Sequence, residues 1–126
     1  MTARSRSHRV LAKLDNYKAV DREIFDLSKE KEGLGRLVGT YFGDKPNGAI
    51  CFYESGIEYD HLGKRIVLYR DLGLVSAPDG KDSKYLNIHL KDGSIVNLFP
   101  ADVSDLLAMV RYFMRVRDDE EDGLKF

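Results

Sequence analysis

"YLNIHLKDGSIVNLF", residues 85–99, is the stretch whose reading decides the fold. Two alternating runs flank Lys91-Asp92-Gly93. A loop of Asp92 and Gly93 alone would set Ile88 against Asn97 and Asn87 against Leu98, which mixes the faces. A loop of Lys91, Asp92 and Gly93 sets Ile88 against Val96, Leu86 against Leu98 and Asn87 against Asn97. Polarity then segregates, and a slip of one residue would destroy that arrangement. The last loop residue must adopt the left-handed region, which glycine does without steric cost. The stretch therefore predicts a hairpin with a type I turn and a glycine bulge. His89 falls opposite Ile95 and near Tyr85 and Phe99, on a face apolar enough to be covered, with the N-terminal helix as the expected cover.

Upstream, the same period of two recurs. "RLVGTYF" (36–42), "AICFYE" (49–54), "IEYD" (57–60), "RIVLYR" (65–70) and "LGLVSA" (72–77) read as strands. "GDKPNG" (43–48) and "PDGKDS" (78–83) read as loops. In "YESGI", a Glu54-Ser55-Gly56 loop predicts Tyr53 opposite Ile57 and Cys51 opposite Tyr59, with Cys51 as a small core residue. A His61-Leu62-Gly63-Lys64 loop predicts Asp60 opposite Arg65 and Tyr59 opposite Ile66.

Helical spacing flanks the strands. Val10, Leu11, Leu14, Tyr17, Val20, Ile24, Phe25 and Leu27 lie three and four apart and predict one or two helices over 10–32. "KEKEG" (29–33) is a stop signal. Residues 1–8 read as a frayed start. At the other end Val103, Leu106, Leu107, Val110, Phe113 and Met114 predict a strong helix over 103–117, with Asp102 or Ser104 as its cap. The expected organisation is an N-terminal helical extension (1–33), an antiparallel domain with its closing helix (34–117) and an acidic tail (118–126).

Composition narrows the functional classes. The chain has 126 residues, 43% of them apolar, which suits one domain with a single core. Lys and Arg number 20 against 21 Asp and Glu. That balance argues against nucleic acid as a partner, because phosphate binding needs a net basic face. The charge is asymmetric, however: Arg4, Arg6, Arg9, Lys13 and Lys18 lie near one end, and Asp118 to Asp122 near the other. These are either two solvated termini or a basic head that meets an acidic tail. Cys51 is the one cysteine, so neither an intrachain disulfide nor a thiolate metal site can form. No apolar signal segment begins the chain, and the apolar runs are too short to span a bilayer. A cytoplasmic protein is expected.

The sequence offers no constellation for catalysis. "GLGRLVG" precedes a strand instead of opening a helix, so it is no phosphate loop. His8, His61 and His89 are not spaced as metal ligands with one another or with Cys51. Asp60 and His61 point to opposite faces if the strand continues through them. Ser55 and Ser94 read as turn residues. "DDEED" lacks the glycine and alternating ligands of a calcium loop. Close carboxylates such as Asp21 and Glu23 do not face each other. The expectation is a non-enzyme without metal or cofactor.

The order of seven strands and a closing helix resembles the pleckstrin-homology-like superfold, and more closely its small bacterial PH-like and GRAM-type members. The likeness is carried by "AICFYESGIEYDHLGKRIVLYRDLGLV", "YLNIHLKDGSIVNLF" and "DVSDLLAMVRYFMRV" and covers roughly residues 36–117. It implies an α+β fold: a partly open antiparallel β-barrel of about seven strands capped by the C-terminal helix, here preceded by an N-terminal helical segment. It implies binding instead of catalysis. In such domains three loops cluster at the open end; here they hold Lys45, then His61 and Lys64, then Lys91, with Arg65 beside them. Those donors suit an anionic headgroup or an acidic peptide. Two readings follow. The first is a protein–protein interaction module of the adaptor or immunity type, with homodimerisation through the N-terminal helix as a further expectation. The second is peripheral binding of anionic lipid or a small anionic ligand at the open end.

Overall fold

A computed structural model describes residues 2–27, 29–43, 49–60, 63–78, 82 and 84–123. The elements run α1 (Ala3–Val10), β1 (Tyr17–Ala19), α2 (Arg22–Leu27), β2 (Leu37–Phe42), β3 (Ala49–Tyr53), β4 (Gly56–Asp60), β5 (Lys64–Leu68), a 3-10 turn (Tyr69–Asp71), β6 (Leu72–Ser76), β7 (Leu86–Leu90), β8 (Ile95–Leu98) and α3 (Val103–Gly123). The fold is α+β. Strands β1 to β5 form one antiparallel sheet in chain order, and β6 to β8 form a second. No strand of one sheet pairs with a strand of the other, so the described strands do not close into a barrel.

The deciding hairpin has the predicted register: Leu86 faces Leu98, Asn87 faces Asn97, Ile88 faces Val96 and His89 faces Ile95. Gly93 holds φ at 93°, as the bulge requires. Asp92 ties the turn by accepting from the Ser94 N–H at 2.8 Å. The outer face is not covered, however: Ile95 is 55% exposed.

Two other registers differ from expectation by one residue. Cys51 faces Glu58 and Phe52 faces Ile57, so β3 and β4 are joined through Glu54 and Ser55 alone. Gly56 is a strand residue, not a turn residue. A Cβ there would lie 2.4 Å from the Val67 carbonyl oxygen and 2.8 Å from a Leu34 methyl, so glycine is present for space. Cys51 consequently lies on the face away from Ile50 and Phe52, half-buried. At the next connection Asp60 faces Lys64 and Tyr59 faces Arg65. Gly63 holds φ at 110° and plays the part that Gly93 plays later.

The N-terminal third departs most from its sequence reading. The helix expected over 10–32 is interrupted by β1, which pairs with β2 through Tyr17–Tyr41, Lys18–Thr40 and Ala19–Gly39. The apolar spacing is real, but its members reach the core from a turn, a strand and a short helix: Leu11, Tyr17 and Phe25 are all buried. Tyr17 dictates the pairing. Its ring lies across Gly39, where a Cβ would come 2.1 Å from the phenol oxygen. Ile24 and Leu27 of the same stripe stay exposed. Within the stretch 1–8, expected to fray, Ala3 to His8 belong to α1 instead. Thr2 caps it by accepting the Ser5 N–H at 3.1 Å, and Ser7 is buried. The acidic tail likewise continues α3 to Gly123.

The core lies between the sheets and α3. Phe52 centres it, 5.3 Å from the Tyr112 ring edge-on, 5.9 Å from Phe113 and 5.8 Å from Tyr17. A polar hub seats α3. Tyr41 donates its hydroxyl to Asp105 at 2.6 Å and accepts the Ala101 N–H at 2.9 Å, while Asn16 donates to Asp105 at 3.4 Å. Burial, and then the bond to Asp105, pushes the Tyr41 phenol up to about 12.

Candidate functional site

The head and the tail of the chain meet. Arg6 on α1 donates Nε and Nη2 to the two carboxylate oxygens of Asp119 on α3, at 2.8 and 2.9 Å. This side-on fork is the strongest geometry available to the pair. It holds the Asp119 carboxyl below its ordinary range and raises Arg6, in both cases chiefly through the hydrogen bonds. Of the two readings of the charged termini, the meeting of head and tail is the one observed.

Beside that clasp opens a cleft of about 740 Å³. Thr2, Ala3 and Arg4 of α1 form one wall, and Asp119 and Glu120 of α3 another. The Glu54-Ser55 turn and Phe25 of α2 complete the rim, with Tyr69 and Val116 beneath. A second recess of about 180 Å³ shares Ser55 and Glu120 and adds Gly33, Leu68 and Arg70. Together they make a two-lobed groove.

The groove's groups differ in how far they are already engaged. Glu54 accepts the Arg36 N–H at 2.8 Å. The guanidinium carbons of Arg4 and Arg36 stand 4.8 and 5.8 Å from the centre of the Phe25 ring, a cation–π arrangement. Arg4 Nε is buried without a hydrogen-bond partner among the described residues. At the base, the hydroxyls of Tyr69 and Tyr112 are 2.7 Å apart. Both are fully buried, and burial drives both phenols far above their ordinary range, so they stay neutral. Next to Phe25 on α2, Ile24 and Leu27 are 59% and 86% exposed. The groove thus offers donors, acceptors and an aromatic wall; Ile24 and Leu27 do not line it.

The described residues among those expected from the sequence, Lys64, Arg65 and Lys91, do not line the groove. Lys45 and His61 are outside the described residues. Lys64 and Arg65 begin β5, both exposed. Lys64 stands 3.7 Å from the buried Glu58, which Lys31 also clasps. The Lys31 hydrogen bond lowers the Glu58 carboxyl below its usual range. Lys91 lies in the β7–β8 turn, where its N–H donates to the Asp71 carbonyl. Asp71 ends the turn beyond the far end of β5, a strand about 13 Å long. The structure therefore keeps Lys64 with Arg65 and sets Lys91 beside the other end of that strand. His89 is half-buried on β7, opposite Ile95.

Sequence reasoning missed the groove because segments from both ends and the middle of the chain build it. The charge asymmetry of the termini was the one available signal. Among the described residues no cluster of three or more His, Cys, Asp or Glu is arranged to hold a metal ion. No described helix is long and apolar enough to cross a membrane. No family model, curated protein or solved structure matches the chain.

Proposed function

We propose that this protein is a non-catalytic binding module that holds a segment of a partner protein in the groove between α1 and α3. The observation that carries this reading is the groove, together with exposed Ile24 and Leu27 on the helix that lends it Phe25. A buried or half-buried aromatic, flanking arginines and adjacent exposed aliphatics are the composition of interface hot spots. The charged groups already tied to structure, Asp119 to Arg6 and Glu54 to the Arg36 amide, favour binding over proton transfer. The succession of strands β2 to β8 and helix α3 supports a pleckstrin-homology-like frame for the module. Affinity capture from native lysate tests the function. The wild type should retain a stoichiometric partner. Leu27→Glu and Glu120→Lys should each lower recovery about tenfold, the equivalent of ~1.4 kcal/mol. Equal recovery by all three proteins, or no partner at all, overturns the reading.

A second reading, peripheral contact with anionic lipid, is favoured by Lys64 and Arg65 immediately before Ile66, which is 52% exposed. Flotation with vesicles tests it: binding that does not change when anionic lipid is added removes it.

A further inference from the structure

Five charged side chains among the described residues line the two lobes of the groove, and three of them are accounted for. Asp119 is tied to Arg6. Glu54 accepts the Arg36 N–H. Arg70, in the smaller recess, is exposed to water. Arg4 and Glu120 remain, half-buried, one on the α1 wall and one on the α3 wall. Among the described residues neither side chain makes a salt bridge or a hydrogen bond, so they do not pair with each other either.

Both charges also oppose their local setting. Arg4 is the second residue of α1, whose first turn holds no acidic residue. Glu120 lies in the last turn of α3, which holds no basic one. Helix dipoles favour anions in the first turn and cations in the last, so each residue stands at the end that disfavours its charge. Asp119, one position earlier, is compensated by Arg6. Arg4 and Glu120 have no such compensation, and departures of this kind gather at functional sites.

The surroundings of the two charges define what could meet them. The Arg4 guanidinium carbon stands 4.8 Å from the centre of the Phe25 ring, and its Nε is buried. The ring holds the cation in place without neutralising it. The terminal nitrogens are the part of the fork left for an incoming acceptor. Glu120 lies where the lobes join, since it lines both. An anion beside Arg4 and a cation beside Glu120 would each find a partner of opposite sign and relieve the unfavourable dipole.

We infer that the groove takes a segment of mixed charge, with a carboxylate side chain set against Arg4 and a lysine or arginine set against Glu120. The inference rests on the reading of the groove as a partner-binding site and adds the chemistry of the segment. A wholly acidic segment would bring a like charge to Glu120, and a wholly basic one would bring a like charge to Arg4.

An array of random synthetic peptides, probed with this protein, tests the inference. Peptides retained by the wild type should carry both an acidic and a basic residue above their frequency in the array. Arg4→Gln should remove the preference for the acid and keep that for the base. Glu120→Gln should do the reverse. Each should weaken the tightest wild-type peptide about tenfold, the scale of one charge-assisted hydrogen bond. A variant that had failed to fold would lose both preferences together, so the one retained certifies the fold. Acid and base at background frequency in the retained peptides overturn the inference and leave the binding module standing. So do variants whose preferences match those of the wild type, or a variant that loses both while keeping the wild-type melting temperature. An array that retains nothing overturns both readings.

Discussion

Tyr41→Phe should cost more stability than its single lost oxygen suggests. Tyr41 is fully buried on β2, and its hydroxyl joins that strand to the Asp105 carboxylate of α3. A hydrogen bond to a charged group contributes about 1.5–3 kcal/mol. The same substitution strips the acceptor from the Ala101 N–H, which lies close enough to solvent for water to replace part of that bond. The expected loss is about 2–3 kcal/mol. Unfolding entropy of about 2.1 cal/mol/K per residue gives roughly 0.26 kcal/mol/K for this chain, so the melting temperature should fall by about 8–11 °C. Urea unfolding followed by circular dichroism at neutral pH measures the loss directly, with an unchanged m-value as the sign that the transition stays two-state. Tyr85→Phe is the control. That ring lies tilted against Phe99 at 5.7 Å, and its change should stay within about 0.5 kcal/mol. A Tyr41→Phe loss as small as the control would refute the hub as the seat of α3.

Other predictions follow from single contacts. Gly39→Ala should destabilise by about 1–3 kcal/mol, because its methyl would meet the Tyr17 phenol on the neighbouring strand; thermal melts check it. Gly93→Ala places a Cβ in open space but at a left-handed φ of 93°, so it should cost about 1 kcal/mol through backbone strain alone. Asp119→Asn should cost about 1 kcal/mol at neutral pH by breaking the clasp with Arg6. The Asp119 carboxyl is depressed in the folded state, so its contribution is present above the unfolded value of about 3.9 and is lost as pH falls through the folded one. The gap in melting temperature between wild type and Asp119→Asn should therefore be full at pH 7 and close under acid; a gap that widens under acid would contradict the assignment.

What the sequence discloses depends on where the determining contacts lie. Most of the strands from β2 to β8, and α3, bury one face, so alternation and helical spacing reveal them. The β7–β8 register is legible because only one loop length segregates polarity. The β3–β4 register is not, since Gly56 serves a close approach to Val67 and Leu34 that no local pattern announces. α1 escapes because its docking is polar, through Arg6 and the buried Ser7, and leaves no apolar stripe. β1 escapes because Leu11, Leu14, Tyr17 and Val20 are spaced as on a helix, while Gly39 alone makes room for the strand. The groove joins Arg4 to Glu120 through contacts between the two ends of the chain. The basic head and acidic tail hinted at that meeting but could not place Phe25, Ser55 or Tyr69 beside it.

The most direct test of the binding site is a photo-reactive residue at Ser55, where the two lobes of the groove join. Irradiated in native lysate and read by mass spectrometry, it should capture one defined segment of one protein, and the same label at Lys18 on β1 should not. Identical products from both positions, or none from Ser55, would contradict the groove as the place where this module meets its partner.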